Sequence, residues 1–586
     1  MIKTLFHQIG AYKKDSILTP IYAAAEVIME ILIPFVTAAI IDEGIQASNM
    51  QKVLQYGVIM IVLALLSLFF GIQAGRKAAS ASTGFACNLR ESMYRNIQTF
   101  SFSNIDKFST AGLVTRMTTD VTNMQNAYQM ILRIAVRAPM TLICSMVMCF
   151  IINVKLSLIF LVALCVLAAA LIYIMMHAMP VFQEVFSKYD DLNASVQENV
   201  TAIRVVKAFV REDFENQKFG KAAEVLCKLF VKAESIIVFN APIMMTVIFA
   251  SMLGLSWIGA QLIVAGDLTT GNLMSLFSYV LSMMMSLMML SMIFVMLTMS
   301  TASAKRIVEV LNEKADLTDP QEPLKEVKDG SIDFNHVSFS YKAGTGEDTL
   351  KDINLHIHAG ETIGIIGGTG CGKSSFVNLI SRLYDVTEGS ICVGGVDVRN
   401  YDMEVLRDKV AVVLQKNVLF SGTILDNLRW GKEDATEEEC RQVCELACAD
   451  EFIERFPQKY NTHIEQGGNN VSGGQKQRLC IARALLKDPK VLILDDSTSA
   501  VDTATDAKIR AAFATKIPGT TKLIISQRIS SVQDADRILV LDDGRVSGFA
   551  PHEELLANNQ IYQEIYNVQM QSGGDFDQKM QEGGLE

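Results

Sequence analysis

Apolar residues fill six long stretches in the first half of the chain, whereas the second half alternates short apolar runs with polar ones. Each long stretch has about 20 residues or more, the length that carries a helix across the ~30 Å hydrocarbon core of a bilayer. The stretches lie at about 17–41, 53–75, 128–152, 156–178, 236–264 and 270–299. This pattern predicts an α-helical transmembrane domain with six spans over residues 1–310.

The first stretch is similar to a secretory signal peptide because Lys13 and Lys14 precede an apolar run. The run continues through Glu26 and Glu30 to Ile41, however, and is longer than the apolar region of a signal peptide. We therefore interpret it as a membrane span.

Basic residues divide the connections between the spans into two kinds. The connections after the second and fourth spans are long and rich in Lys and Arg, and the others are short with little positive charge. Positive charge is retained in the cytoplasm, so the long connections and both termini are predicted to be cytoplasmic. Both long connections also carry apolar residues at the helical period, which predicts helices that protrude into the cytosol.

The second half of the chain has the pattern of an α/β domain. Residues 311–329 are polar and interrupted by proline, which predicts a linker. Over 330–570, β-rich runs such as "TIGIIG", "VLILDD" and "TKLIIS" alternate with helical stretches, as in a mostly parallel sheet. Residues 571–586 are polar and rich in glycine, and we predict a disordered tail there.

Composition agrees with a chain that lies partly in lipid. Hydrophobic residues make up 50% of the 586 residues, charged residues make up 20%, and the mean hydropathy is +0.27. The net charge of -11 and the lack of a basic cluster argue against nucleic acid as a partner. The 11 cysteines lack the paired spacing of a disulfide framework. Cys440, Cys444 and Cys448 fit one buried stripe of a helix better than a metal site.

A phosphate-binding loop follows the predicted strand "TIGIIG" and precedes a predicted helix, with the complete spacing GxxxxGKS. Lys373 is expected to reach the β- and γ-phosphates of ATP, and the Ser374 hydroxyl to bind Mg²⁺. Asp495, at the end of the apolar strand "KVLILDD", is expected to hold the same Mg²⁺ directly or through water. The predicted loop comprises Gly367, Gly368, Thr369, Gly370, Cys371, Gly372, Lys373, Ser374 and Ser375.

The run "NVSGGQKQRLCIARAL" resembles the signature sequence of ATP-binding cassettes, with Val471 in place of the commoner Leu. The signature residues are Val471, Ser472, Gly473, Gly474 and Gln475. N–H groups at a helix start form an anion cradle, which the resemblance assigns to ATP held by another cassette. It further implies that Tyr341 stacks on adenine, that Gln415 is linked to Mg²⁺, and that Asp502 lies in a loop that crosses between cassettes.

The resemblance covers nearly the whole chain and includes the two long cytoplasmic connections. Their segments "NIDKFSTAGLVTRMTTDV" and "ENVTAIRVVKAFVRE" resemble the intracellular loops through which exporters of this family contact their cassettes. The implied mechanism is alternating access driven by ATP.

Two residues depart from the family pattern. Asp496 stands where actively hydrolysing members have the Glu that acts as general base, and Gln527 stands in place of a His. One methylene less withdraws the carboxylate by about an ångström, and such a misplacement can cost on the order of 100-fold in rate. Gln cannot carry the positive charge of His or transfer a proton. Together they predict a degenerate ATP site, as in bacterial heterodimeric multidrug exporters, with a paralogous half-transporter supplying the other chain.

The resemblance implies export of hydrophobic or amphipathic small molecules, with membrane lipids as neighbours and a bacterial cell membrane as the location. A homodimer with a slow Asp base remains an alternative to the heterodimer. A lipid or peptide exporter would use the same machinery, and an importer with the exporter fold is a further alternative. A soluble ATPase is disfavoured by the six spans.

Two groups of membrane residues have open roles. Methionines of the sixth span form either a substrate surface or ordinary helix packing. They are Met283, Met284, Met285, Met288, Met289, Met292, Met296 and Met299. Glu26 and Glu30 are either counter-charges for a substrate or hydrogen-bonded groups near the cytosol. Arg133 and Arg137 are expected to face the cytoplasmic interior or a partner chain.

Overall fold

The computed structural model describes residues 1–341, 348–496 and 501–571, which form two compact units. The first unit comprises Met1–Gln98 and Thr110–Glu313. The second comprises Thr99–Ser109 and the chain from Lys314 onward. The predicted tail lies outside the described residues, apart from Gln571.

The first unit is built from helices. In chain order the helices up to the linker are α1 (Ile2–His7), α2 (Lys13–Ala39), α3 (Met50–Gln98), α4 (Phe102–Phe108, in the second unit), α5 (Thr110–Thr115), α6 (Val121–Ile152), α7 (Val154–Thr201), α8 (Ile203–Ala208), α9 (Glu212–Ile237), α10 (Asn240–Ala265) and α11 (Thr270–Asn312). A 3₁₀ turn at Gly10–Tyr12 precedes α2, and π-helical turns at Ile40–Gln46 and Arg116–Asp120 follow α2 and α5.

Six helical stretches among the described residues are long and apolar enough to cross a membrane, which confirms the predicted six-span domain. They are Gly10–Gln46, Met50–Gln98, Thr110–Ile152, Val154–Thr201, Glu212–Ala265 and Thr270–Leu290. On α3 the side chains of Leu65 and Phe69 are exposed, as expected of a surface that contacts lipid. α3 and α7 continue well beyond the length of a span as polar helix, because a bilayer core takes only about 20 residues.

The methionines of α11 divide between the core and the surface. Met283 and Met284 are buried beside Tyr279, whose hydroxyl donates to the Ile31 carbonyl at 2.8 Å. Met285 and Met292 are exposed. Helix packing therefore accounts for part of the methionine stripe, and the exposed part keeps both interpretations open.

The two acidic residues of the first span have a partner that the sequence interpretation missed. Arg137 on α6 donates to Glu26 at 2.9 Å and to both carboxylate oxygens of Glu30 at 2.8 and 2.9 Å. The Glu26 side chain is only 7% exposed and packs against Gly71 of α3. Arg137, which was expected to face the cytoplasmic interior or a partner chain, joins α6 to α2 through these ion pairs.

The second unit is an α/β domain. Its helices after α4 are α12 (Lys373–Ile380), α13 (Met403–Lys409), α14 (Ile424–Leu428), α15 (Glu437–Leu446), α16 (Asp450–Ile453), α17 (Gly473–Leu485), α18 (Thr503–Lys516), α19 (His552–Asn558) and α20 (Gln560–Gln571). Its strands are β1 (Ile332–Phe339), β2 (Leu350–Ile357), β3 (Thr362–Gly367), β4 (Glu388–Val393), β5 (Val396–Asp397), β6 (Val410–Val413), β7 (Gly422–Thr423), β8 (His463–Ile464), β9 (Val491–Asp495), β10 (Thr521–Ile525), β11 (Arg537–Asp542) and β12 (Arg545–Ala550).

The main sheet has the order β12-β11-β3-β10-β9-β6 and is parallel except for β12, as the strand pattern predicts. A second, antiparallel sheet has the order β2-β1-β4-β5, and β7 pairs with β8. Because β10 lies between β3 and β9, the carboxyl ends of these three strands meet at one edge. Ligands of open parallel sheets bind at that edge.

The cysteine stripe is only partly helical. Cys440 and Cys444 lie on α15, whereas Cys448 lies beyond the end of the helix with φ 51°. All three belong to the hydrophobic core, and burial raises the pKa of the Cys444 thiol to about 12. These thiols are packing residues.

Helix α4, from the first long connection, belongs to the second unit. The Tyr384 hydroxyl donates to the Asp106 carboxylate at 2.7 Å, and the Tyr384 ring meets Phe102 edge to face at 6.0 Å. The Asn104 amide donates to the Lys314 carbonyl at 3.2 Å. Hydrogen bonds and ring contacts thus connect this short helix to the α/β domain.

Candidate nucleotide site

The loop between β3 and α12 forms a cradle with an organised lysine. Lys373 donates to the carbonyls of Gly367 at 2.8 Å and Gly368 at 2.7 Å. Gly372, the N-cap of α12, has φ 96°, and a Cβ there would lie 2.8 Å from Leu350. A side chain at this position would therefore be strained and crowded. The loop backbone and the first turn of α12 present N–H groups of the kind that bind phosphate.

Cys371 packs inside the same loop. Its side chain is 6% exposed, and its sulfur lies 3.7 Å from the Lys373 ammonium. A Cβ on Gly367 would lie 2.7 Å from this sulfur, so the thiol fills the space that the glycine leaves. Cys371 lies inside the predicted phosphate loop, so alkylation of its buried thiol would require the loop to open and should block nucleotide binding.

Two acids at the end of β9 face the loop. Asp495 is 5% exposed, and burial raises its pKa, partly offset by a hydrogen bond from Ser374. Burial also raises the pKa of Asp496, while a hydrogen bond from Gln415 and the charge of Lys373 lower it. Loop, acids and Gln415 are therefore brought together as the motifs predict.

The oxygen groups of this cluster match the ligand preference of Mg²⁺. The Ser374 hydroxyl already bonds to the Asp495 carboxylate, and the Gln415 side chain reaches Asp496. Hydroxyl, carboxylate and amide oxygens are the hard donors that Mg²⁺ takes in protein sites, usually with several waters. The residues present thus fit the ion.

Asp496 and Gln527 lie next to each other in the site. The Gln527 amide lies 3.5 Å from the Asp496 carboxylate, at the far limit of a hydrogen bond. Asp496 has φ 47°, a left-handed conformation that Asp tolerates better than most residues. The Asp496 side chain is therefore directed by local contacts to Gln415 and Gln527.

Two residues near Gln527 escaped the sequence interpretation. Gln569 on α20 donates to the Gln527 carbonyl at 2.7 Å and accepts from the Ile529 N–H at 2.9 Å. Arg528 lowers the pKa of Asp496 through its charge. A basic residue beside Gln527 was visible in the sequence, but nothing in the sequence links the C-terminal helix to this loop.

Tyr341 lies at the edge of the loop and is 51% exposed. Its hydroxyl lies 2.9 Å from the Ser375 hydroxyl, and its ring meets Tyr384 edge to face at 5.2 Å. The predicted adenine-stacking residue is thus close to the phosphate loop and has a half-exposed ring.

The signature residues form the start of α17. The Ser472 hydroxyl caps the helix by accepting from the Gln475 N–H at 3.3 Å. The Gln475 side-chain oxygen in turn accepts from the Ser472 N–H at 2.9 Å. Ser472 and Gly473 are exposed. Among the described residues, no hydrogen bond joins this segment to the phosphate loop of the same chain. The helix start therefore presents its N–H groups to solvent.

Asp502 caps α18 by accepting from the Thr505 N–H at 2.9 Å, and this bond lowers the pKa of Asp502. The preceding residues, 497–500, lie outside the described residues. Asp502 itself is exposed at the start of a helix.

Comparisons with known proteins match both halves of the chain. Residues 17–309 match the family described as ABC transporter transmembrane region, and residues 350–499 match the family described as ABC transporter. The uncharacterized ABC transporter ATP-binding protein YfiB of Bacillus subtilis is 36% identical over 544 residues, which are 93% of this chain and 94% of YfiB.

Two further comparisons concern a lipid transporter and a solved structure. The ATP-dependent lipid A-core flippase of Desulfotalea psychrophila is 34% identical over 491 residues, 82% of this chain and 84% of the flippase. A structure of a bacterial Atm1-family ABC exporter with ATP bound shares the fold, with a TM-score of 0.81 at 23% identity over 95% of this chain and 99% of that chain.

Proposed function

Because this chain belongs to the ABC transporter family and is an integral membrane exporter coupled to an ATPase, we propose that it exports hydrophobic or amphipathic compounds as one subunit of a heterodimer. The partner would be a paralogous half-transporter. Of the two ATP sites, the one on this chain's phosphate loop would retain ATP, and the one on this chain's signature would hydrolyse it.

The observation that carries the proposal is the pairing of Asp496 with Gln527 beside the phosphate loop. The Gln527 amide lies 3.5 Å from the Asp496 carboxylate. Unlike the His that it replaces, Gln527 cannot direct a charged imidazole at the γ-phosphate. The Asp496 carboxylate accepts a hydrogen bond from Gln415. Because Asp is one methylene shorter than Glu, this carboxylate would lie about an ångström further from an attacking water than a Glu carboxylate would. Both changes weaken hydrolysis while leaving ATP binding to Lys373 and the loop backbone.

Ser374, Asp495 and Gln415 would hold Mg²⁺ in this site. When bound there, the ion supplies positive charge that offsets the charge of the β- and γ-phosphates. Lys373, held by the Gly367 and Gly368 carbonyls, is placed to turn its ammonium toward the same phosphates. The Tyr341 ring would then stack on the adenine.

The proposed dimer is supported by apolar surfaces on each unit. In the first unit, Phe209 and Val210 after α8 are 73% and 80% exposed although they lie in a predicted cytoplasmic connection. In the second unit, the exposed rings of Phe420 and Trp430 stack at 4.0 Å in a cavity of about 320 Å³ whose lining also includes basic side chains. Apolar patches of this kind mark interaction sites, and we assign both to the partner subunit.

The test is ATPase activity of this chain purified alone in lipid nanodiscs. We expect turnover close to that of Lys373→Ala, because two copies of this chain form two degenerate sites. Brisk turnover that Asp496→Asn abolishes would contradict the heterodimer and support the homodimer with an Asp base. Export itself is tested with inside-out vesicles that contain both subunits, in which ATP should drive apolar dyes into the lumen; ATP-driven movement in the other direction would indicate an importer.

A lipid substrate is the second candidate, because a relative of 34% identity is named a lipid A-core flippase. The same vesicles distinguish the two. A fluorescent phospholipid that changes leaflet only with ATP, and is not displaced by apolar dyes, would favour the lipid.

We also propose that both termini are cytoplasmic and that the membrane is a bacterial cell membrane. The long connections carry the positive charge that the cytoplasmic side retains.

A further inference from the structure

A cavity of about 260 Å³ opens in the second unit between α18 and the main sheet, away from the phosphate loop. Its apolar lining includes Phe513 of α18 and Ile524 of β10, and its basic lining consists of Arg510 and Lys522. Lys522 is the second residue of β10, so the cavity lies toward the amino ends of the strands. The nucleotide site lies at the carboxyl ends of the same strands, and the two sites are distinct.

Lys522 is 3% exposed, a burial that lysine almost never reaches without a partner. Within the described parts of the chain its ammonium makes no hydrogen bond and no ion pair. Asp536 acts on it only through its more distant charge, and burial lowers the pKa of Lys522. The side chain contributes to the cavity lining, so the ammonium has access to whatever occupies that space.

The other basic group of the cavity is already neutralised. Arg510 forms ion pairs with Asp506 at 3.2 Å and with Asp534 at 3.1 Å. Of the two basic groups in the cavity lining, Lys522 is therefore the one without an ion pair among the described residues, although the charge of Asp536 acts on it from a distance. A buried charge without a partner is costly, and a bound anion would remove that cost.

Charge and size restrict the class of anion. Asp506 and Asp534 would repel a second negative charge, which favours a monoanion over a phosphate dianion. The apolar walls favour a ligand with an apolar part. The volume is below the roughly 300–1,000 Å³ of sites for drug-sized ligands, so the ligand is small.

We propose that this cavity binds a small organic monocarboxylate, with its carboxylate on Lys522 and its apolar chain against Phe513 and Ile524. The site is independent of the nucleotide site and of the proposed export function. Hexanoate is a suitable probe, because it combines one carboxylate with a short apolar chain.

The decisive measurement is the rate at which acetic anhydride acylates Lys522 in the full-length chain in nanodiscs, followed by mass spectrometry. Lys516, exposed at the end of α18, is the internal control. Saturating hexanoate should slow acylation of Lys522 about tenfold, the occupancy effect expected at about ten times the dissociation constant, and leave Lys516 unchanged. Equal rates with and without hexanoate would overturn the proposal.

Two further ligands test the assigned chemistry. Hexanol lacks the charge, and inorganic phosphate lacks the apolar chain, so neither should protect Lys522 at the same concentration. Protection by hexanol as strong as by hexanoate would show that the carboxylate is not recognised. Equal protection by phosphate would contradict the monocarboxylate.

A pair of variants tests the residue. Lys522→Met should weaken hexanoate binding, measured by calorimetry, at least about tenfold, whereas Lys516→Met should leave it unchanged. Unaltered binding to a folded Lys522→Met chain would contradict the assignment. Should this variant not fold, the acylation rates of the unmodified chain decide the question.

Discussion

At the residue scale, two side chains, Asp496 and Gln527, separate the proposed degenerate site from a hydrolysing one. Replacing Asp496 with Glu and Gln527 with His should raise the ATPase rate of the chain purified alone by about 10- to 100-fold, because the carboxylate advances by about an ångström. The double variant is required because Gln527 contacts Asp496 at 3.5 Å and is itself the second residue that departs from the family pattern. Steady-state phosphate release measures the gain.

The backbone conformation at Asp496 should make the change from Asp to Glu slightly destabilising. With φ 47°, the position is left-handed, and Glu should lower stability there by about 1 kcal/mol relative to Asp. A small fall in the melting temperature together with faster hydrolysis is therefore expected. Gln527→His alone is the control, and a double variant no faster than the original chain would show that these two residues do not limit the rate.

Arg137 is the second residue whose change should have a large effect. Arg137→Met leaves the carboxylates of Glu26 and Glu30 without their counter-charge, and breaking a buried ion pair from one side costs about 3 kcal/mol or more. We expect a lower melting temperature in detergent. Adding Glu26→Gln and Glu30→Gln to the same chain should restore most of the loss, since no buried charge remains unpaired.

An exposed pair provides the control for that experiment. Arg95 and Glu91 on α3 pair at 2.7 Å with side chains 78% and 56% exposed. Arg95→Met should change the melting temperature little, because exposed ion pairs contribute little. A similar fall for both variants would indicate that loss of any arginine destabilises the chain.

At the scale of elements, the sequence was sufficient to predict those structures that depend on a single segment of the chain. Six spans followed from length and hydropathy, and the phosphate loop followed from its spacing between β3 and α12. Contacts between distant segments have no such local signal. The bonds of Gln569 to the Gln527 loop, and those of Arg137 to α2, depend on tertiary packing that spacing cannot reveal.

The contact of α4 with the second unit leads to a prediction about coupling. Tyr384→Phe removes the hydroxyl that donates to Asp106 at 2.7 Å but keeps the ring beside Phe102. A hydrogen bond to a charged group contributes about 1.5–3 kcal/mol, so α4 should be held less firmly. We expect stimulation of ATPase by a transported compound to fall several-fold in the two-subunit transporter, with basal ATPase retained.

The matched control is Tyr401→Phe. Tyr401 is fully buried, and its hydroxyl donates to the Val393 carbonyl at 2.8 Å without involving α4. This variant should lower stability but keep stimulation. Loss of stimulation in Tyr401→Phe and not in Tyr384→Phe would contradict a role for the α4 contact.

At the scale of the whole molecule, the proposal requires two unequal ATP sites that share this chain. Its phosphate loop belongs to the site with Asp496 and Gln527, and its signature at the start of α17 belongs to the other. Damage to each motif should therefore have unequal consequences. In a homodimer both motifs serve the same two sites, and the consequences should be equal.

Gly473→Asp is the sharper way to damage the signature. Asp in the first turn of α17 favours the helix, so folding is preserved, while its charge repels the γ-phosphate of ATP on the partner subunit. Loss of such a preorganised anion site costs about 100-fold or more in rate. Lys373→Ala, in the phosphate loop of the other site, should leave most of the hydrolysis of the two-subunit transporter. Equal loss of activity in both variants would contradict the division into one site that retains ATP and one that hydrolyses it.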